Sequence, residues 1–172
     1  MVVTLNKQGM AQNTGGAGSD TLISIENLIG SIHGDRLTGD AAANSLTGGA
    51  GNDYLEGGFG RDQLTGGAGA DRFVFEAAFS SNNVDAVTDF ASDDFLVLDR
   101  SIFTAITANG QLAESAFRVG PAAADANDRI VYDQASGRIF YDADGNGAGA
   151  AILFARVEAG TALTHADIPV VA

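Results

Sequence analysis

Asp35, Asn44, Asp53, Asp62 and Asp71 stand nine residues apart, each behind a short turn-forming stretch rich in glycine. A sixth copy of the pattern, GGAGSDTLI at 15–23, places Asp20 out of step with the others. Oxygen ligands at so regular an interval suggest cation chemistry rather than catalysis. Carboxylates joined by backbone carbonyls form a hard oxygen set, which suits Ca²⁺ better than a softer metal. Two residues after each polar position comes a large apolar one: Leu22, Leu37, Leu46, Leu55, Leu64 and Phe73. Repeated Gly and Asp could mark plain hairpin turns, but an Asp offset locked to a Leu offset argues against that reading.

These positions need elements to hold them. Glycines permit tight turns with positive φ and close backbone approach. The three residues that end each copy, such as Tyr54-Leu55-Glu56, predict a short strand whose central side chain points inward. Two copies then make one coil of 18 residues with a turn on each side, and stacked coils bury the leucines that no single repeat can bury. The same stacking sets each Asp near the Asp one coil away. Without a cation that is a ladder of like charges in a partly dry place, so folding and calcium binding are expected to be one event. Ile23, Ile25, Leu28 and Ile29 are expected to plug the amino end of the stack.

Residues 15–74 resemble the RTX (hemolysin-type) calcium-binding nonapeptide repeat, G-G-x-G-x-D-x-U-x, of exported bacterial proteins, with the full signature at 15, 48, 57 and 66. The resemblance implies calcium ions between turns 18 residues apart, each held by carbonyls and an Asp from both turns. Carried onto this chain, one ligand set is Gly49, Gly51 and Asp53 with Gly66, Ala68 and Asp71. A second is Ser31, His33 and Asp35 with Gly48, Ala50 and Asp53. A third is Asp40, Ala42 and Asn44 with Gly57, Phe59 and Asp62, expected to be weaker because Asn44 is neutral and Asp40 and Ala42 replace glycines. The resemblance also implies a secreted bacterial protein, with the type I secretion machinery as a partner. The closing HADIPVVA is similar to the uncleaved signal of that route.

Composition agrees with a cation-seeking chain. There are 22 acidic residues against 9 basic in 172, and a formal charge of −13. That balance argues against nucleic acid or an anionic membrane surface as partner. No cysteine is present to staple an extracellular fold, and no apolar run is long enough for a transmembrane helix. The opening MVVTLNKQGMAQNT lacks the apolar stretch of an ordinary signal peptide, so export is either absent or directed by another part of the chain.

Beyond residue 74 the glycine pattern stops. Strands are predicted in DRFVFEAAF, DAVTDF, DFLVLD, DRIVYD, GRIFYD and AAILFARV, and helical turns in DRSIF and QLAESAFRV. Residues 128–145 read as a hairpin through Gln134–Gly137. The expected fold is therefore all-β: a parallel β-roll of glycine-rich nonapeptide repeats followed by a mostly β C-terminal cap. It divides into a flexible segment at 1–14, the roll at 15–74 and the cap at 75–172. DADGNG at 142–147 starts like an EF-hand loop, yet Leu153 stands where the closing Glu belongs, so a plain turn is the better reading. No catalytic constellation is found. His33 and His165 form no zinc motif, there is no nucleophile elbow, and pairing Glu26 with Glu56 fails because Glu56 is expected to be exposed. The chain reads as a non-catalytic calcium-binding module. Alternatives are the tail of a secreted metalloprotease, lipase or alginate-modifying enzyme, or a surface adhesion or glycan-binding protein whose cap offers an aromatic groove around Phe140 and Tyr141.

Overall fold

The computed structural model describes residues 1–5, 11–13, 19–21 and 23–172. Alternate copies of the repeat contribute strands to two facing sheets, because each glycine turn reverses the chain. One sheet takes β1 (Val2–Thr4), β5 (Arg36–Thr38), β7 (Tyr54–Glu56), β9 (Arg72–Phe75) and β11 (Phe95–Asp99), all parallel, in that order. The other takes β4 (Asn27–Ile29), β6 (Ser45–Ala50), β8 (Gln63–Ala68) and β10 (Asp85–Val87), again parallel. The register places Leu37 beside Leu55 and Leu55 beside Phe73, with Phe73 next to Leu96. Across the core, Leu46 neighbours Leu64, and Leu64 neighbours Val87. These side chains are buried and form the expected inward column.

The glycine turns explain why the coils can be this thin. Gly49, Gly51, Gly58, Gly60, Gly67 and Gly69 all have φ between +89° and +131°, a region that side chains resist. The parallel roll and its mostly β continuation match the expected fold class, but its extent differs. Both sheets run without a break across the division expected after residue 74: β10 and β11, expected in the cap, are further coil strands.

The cap adds strands to the same sheets. β17 (Pro169–Val171) pairs in parallel with β11, and β12 (Gly110–Gln111) pairs antiparallel with β17. β16 (Ile152–Arg156) pairs in parallel with β10. The predicted hairpin forms between β14 (Ile130–Asp133) and β15 (Arg138–Tyr141), with β13 (Phe117–Val119) beyond it. Single 3₁₀ turns occur at Glu114–Ala116 and His165–Asp167. An aromatic cluster of Phe75, Phe79, Phe103, Tyr141 and Phe154 fills the end of the core in edge-on and stacked contacts.

Several expectations about the ends and surfaces are corrected. The segment at 1–14 supplies β1, whose Val3 is buried against the core. Ile23 and Ile29 are exposed, and of the four residues expected to plug the amino end only Leu28 packs against the core. The copy at 15–23, with Asp20, lies largely outside the described residues. Its β3 (Ser19–Thr21) pairs antiparallel with β2 (Ala11–Asn13) rather than stacking as a coil. Tyr141 is buried and its hydroxyl accepts a 2.7 Å hydrogen bond from Ala105 N–H, so it lines no groove, whereas Phe140 lines a hollow with Pro121 and Val131. Glu56 is also buried, held by Arg36 and Thr38.

Leu55 lies at the middle of its column and is fully buried. Leu55→Ala is expected to destabilise the calcium-loaded protein by about 2–5 kcal/mol, measured by urea unfolding. Val119, half exposed in the cap, is the control: Val119→Ala should change stability by less than about 0.5 kcal/mol.

Candidate metal centre

From Asp35 to Asp71 the polar residue of each copy sits where a turn passes into a strand, buried between stacked coils. The carboxylates of Asp53, Asp62 and Asp71 bind the backbone of the coil before them. Asp53 Oδ1 accepts from Asp35 N–H at 2.7 Å, and Asp71 Oδ1 accepts from Asp53 N–H at 2.8 Å. On the opposite edge Asp62 Oδ1 accepts from Asn44 N–H at 2.8 Å. One oxygen of each carboxylate is thereby spoken for. The other, Oδ2 of Asp53, Asp62 and Asp71, is buried with no hydrogen-bond partner at all. A buried carboxylate oxygen without a donor is strongly unfavourable, and a cation is the group that would satisfy it.

The first glycine of each copy makes room for that oxygen. A Cβ on Gly48, Gly57 or Gly66 would occupy the space of Oδ2 of Asp53, Asp62 or Asp71 respectively. Backbone carbonyls converge on the same inter-coil space. Those of Ser31, Asp40, Ala42, Gly49 and Gly51 lie against glycines of the following coil. Those of Gly48, Gly57 and Gly66 lie against Gly30, Gly39 and Gly48 of the preceding coil. Ala68 O faces back as well, accepting from Gly51 N–H at 2.8 Å. Ser31 O and Asp40 O accept from Ala50 N–H and Phe59 N–H at 3.1 and 3.0 Å. Each of these carbonyls keeps a second lone pair. His33 is exposed, and its carbonyl accepts only a 3.4 Å contact from Ser31 Oγ. Among the described residues no three acidic or histidine side chains gather at one point, so an ion held here must draw on carbonyls. The residues present fit calcium.

The three ligand sets differ in how ready they are. Asp35 is occupied: Oδ2 accepts from Ser31 N–H at 2.5 Å, and the amino group of Met1 touches Oδ1. Asn44 Oδ1 likewise accepts from Asp40 N–H at 2.8 Å. Only the set built on Asp53 and Asp71 has an unpartnered buried oxygen on both carboxylates.

The ladder also extends past the glycine repeats. Asp71 N–H donates to Asp94 Oδ1 at 2.9 Å, and Asp62 N–H donates to Asp85 Oδ1 at 3.1 Å. The sequence carries a signal for this. Asp85 and Asp94 are nine residues apart, with Val87 and Leu96 two residues beyond them. What hides it is the loss of glycine and a spacing of 23 instead of 18 to the previous coil. The extra residues form the loop 76–84, whose Asn83 takes Gly60 N–H on its Oδ1 and donates to Ala78 O. Asp89, in the position of a first glycine, accepts from both Gly66 N–H and Gly67 N–H.

Stacked carboxylates and glycine-shaped turns in a parallel roll define a calcium-binding β-roll. Residues 29–64 and 47–77 match the RTX calcium-binding nonapeptide repeat, described as four copies, and this chain therefore carries calcium-binding RTX repeats. A similar solved structure is the solution structure of the AlgE6R3 subunit from the Azotobacter vinelandii mannuronan C5-epimerase. It is 28% identical, covering 83% of this chain and 76% of that one, with a TM-score of 0.47. No curated protein matches the chain.

Burial is the main cause that raises the carboxyl pKa values from Asp53 onward along the ladder. Asp62 and Asp71 are pushed up to about 6, and Asp85, beside the Asp62 charge, to about 8. Asp53 and Asp94 are raised for the same reason. A carboxyl raised in the folded state stabilises that state below its unfolded pKa and loses the effect as pH rises through the folded value. Calcium-free protein should therefore gain β structure as pH falls from about 8 towards about 4, read by far-UV circular dichroism in a chelator. A flat profile across that window would contradict the raised carboxyls.

Proposed function

We propose that this chain is a non-catalytic module that folds when calcium neutralises its inter-coil carboxylates, and that it works outside the bacterial cell. The buried, partnerless Oδ2 atoms of Asp53, Asp62 and Asp71 carry the reading. The tightest ion lies between Asp53 and Asp71, with the carbonyls of Gly49, Gly51, Gly66 and Ala68. A second lies between Asp35 and Asp53, with those of Ser31, His33, Gly48 and Ala50. The third and weakest lies between Asn44 and Asp62, with those of Asp40, Ala42, Gly57 and Phe59. Asp94 extends the same edge beyond Asp71, so the calcium-responsive unit reaches past residue 74.

Where free calcium is scarce, the acidic, glycine-rich chain stays extended and suits passage through a type I exporter. Where calcium is plentiful, binding that only the folded state can make drives coiling. Mg²⁺ is a poor substitute because it favours a small octahedral shell and keeps its water.

Titration of the calcium-free protein at neutral pH should show β structure rising with Ca²⁺ and little change with Mg²⁺. Asp53→Ala removes a ligand from two ions and should raise the calcium midpoint by about tenfold or more, since a charged ligand contributes on the order of 1.5–3 kcal/mol. Glu114→Ala, on an exposed 3₁₀ turn, should leave it unchanged. Full folding in a chelator at neutral pH would overturn the switch. A normal midpoint in Asp53→Ala would overturn the ligand assignment.

A further inference from the structure

We propose that one outer face of the cap binds a second copy of this chain about a two-fold axis, through a basic hollow on one side of residues 150–153 and an acidic hollow on the other. The walls of the basic hollow, about 600 Å³, include Arg61, Arg156, Val84 and Leu153 and no acid. Those of the acidic hollow, about 340 Å³, include Phe140, Val131, Asp142 and Asn146 and no base. Ala151 borders both. Phe140 stands directly across from Leu153 in the β15–β16 ladder, so the two hollows share one face of the sheet.

The charges of the two hollows are opposite. Among the described residues Arg36 is the only arginine in an ion pair. Asp133, Arg138 and Arg156 form a row across β14, β15 and β16; Asp133 offsets Arg138 and leaves Arg156 as the surplus positive charge. Arg61 Nη2 donates to Ser81 O at 3.0 Å, which steadies a second guanidinium at the same hollow.

On the other side, loops 120–128 and 142–149 carry Asp125, Asp128, Asp142 and Asp144 and no basic residue. The loops touch, since Asn146 N–H donates to Asp125 O at 3.0 Å. Asp142 is buried, and burial first, then the Asp144 carboxylate, raise its pKa. Two cations stand nearby. Arg118 is exposed beside Val131 in the β13–β14 ladder and pairs with no acid. Arg129 donates to Asp128 O and lines a different hollow.

A two-fold axis through the ridge between the hollows suits this arrangement. Such an interface pairs a surface with itself, so a face that carries both signs apart meets its own complement after half a turn. Arg61 and Arg156 of one copy then face Asp142 of the other, and the same contact is made a second time. Phe140 lies in the hollow with Asp142, and a guanidinium takes both an aromatic face and a carboxylate. Ile152 is 39% exposed on the ridge, with Leu153 and Val84 beside it. An exposed apolar patch rimmed by polar groups marks an interaction site. An added peptide strand is the poorer occupant, because β10 and β16 each have a neighbour on both sides and offer no free edge.

Sedimentation velocity of the calcium-loaded protein over a concentration series tests this. The dimer fraction should grow with concentration. Arg156→Glu should raise the dimer Kd about tenfold or more, because it sets like charges against each other twice per dimer. Asp142→Lys should do the same. An equimolar mixture of the two variants should dimerise as the parent does, since each contact then joins opposite charges. Calcium-induced dichroism should be unchanged in every variant. Should Asp142→Lys fail to fold, Asp144→Lys, on the exposed part of the same loop, takes its place. A parent that stays monomeric up to millimolar concentration, a dimer that survives Arg156→Glu, or a mixture no better than its components would each overturn the assignment. None of these outcomes bears on the calcium switch, which is read separately by dichroism.

Discussion

The whole arrangement depends on three buried carboxylate oxygens, one each on Asp53, Asp62 and Asp71, that the protein itself does not satisfy. Oδ1 of Asp53, Asp62 and Asp71 ties each to the coil before, and Oδ2 is left buried against a glycine. Stacking also brings that charge close to the next one on the same edge. On the proposed reading a calcium ion would remove both costs together, the missing partner and the repulsion. The metal would then be part of the interface between coils rather than an addition to a finished fold.

The same geometry explains where glycine is needed and where it can be lost. Glycine at the first position leaves space for Oδ2, and at the second and fourth it allows positive φ under close backbone approach. In the coils of Asp35 and Asp94 a backbone N–H, from Ser31 or Ala91, meets Oδ2 instead. Those two carboxylates sit at either end of one edge of the ladder. The ladder thus passes from a region whose carboxylates need an ion to flanks whose carboxylates have protein donors. That passage also explains how the cap can begin without a break: β16 and β17 continue both sheets in parallel.

Much of this is legible from residue spacing. The period of nine, the inward leucines and the turn geometry all depend on contacts between residues close in sequence, or one coil apart at a constant offset. Asp53 and Asp71 are therefore readable as neighbours from their separation of 18 residues alone. Asp85 and Asp94 are harder to read, because the loop 76–84 breaks the constant offset and their turns lack glycine. The burial of Glu56 escapes the repeat pattern for a related reason. Its strand position faces outward, but the chain near Glu76 and Ile102 returns over it, and no periodic rule describes that return.

What the sequence determined by itself, then, is the repeating part: strand, turn, inward apolar side chain and paired carboxylates. A repeat forces every copy to meet its neighbour in the same way, so local pattern is enough to specify long-range contact. Only the tertiary structure decided how the roll ends, which residues cover its outer faces, and that Arg61 and Arg156, 95 positions apart in the numbering, line one groove. Those contacts join segments with no shared period, and their distance along the chain says nothing about their distance in space.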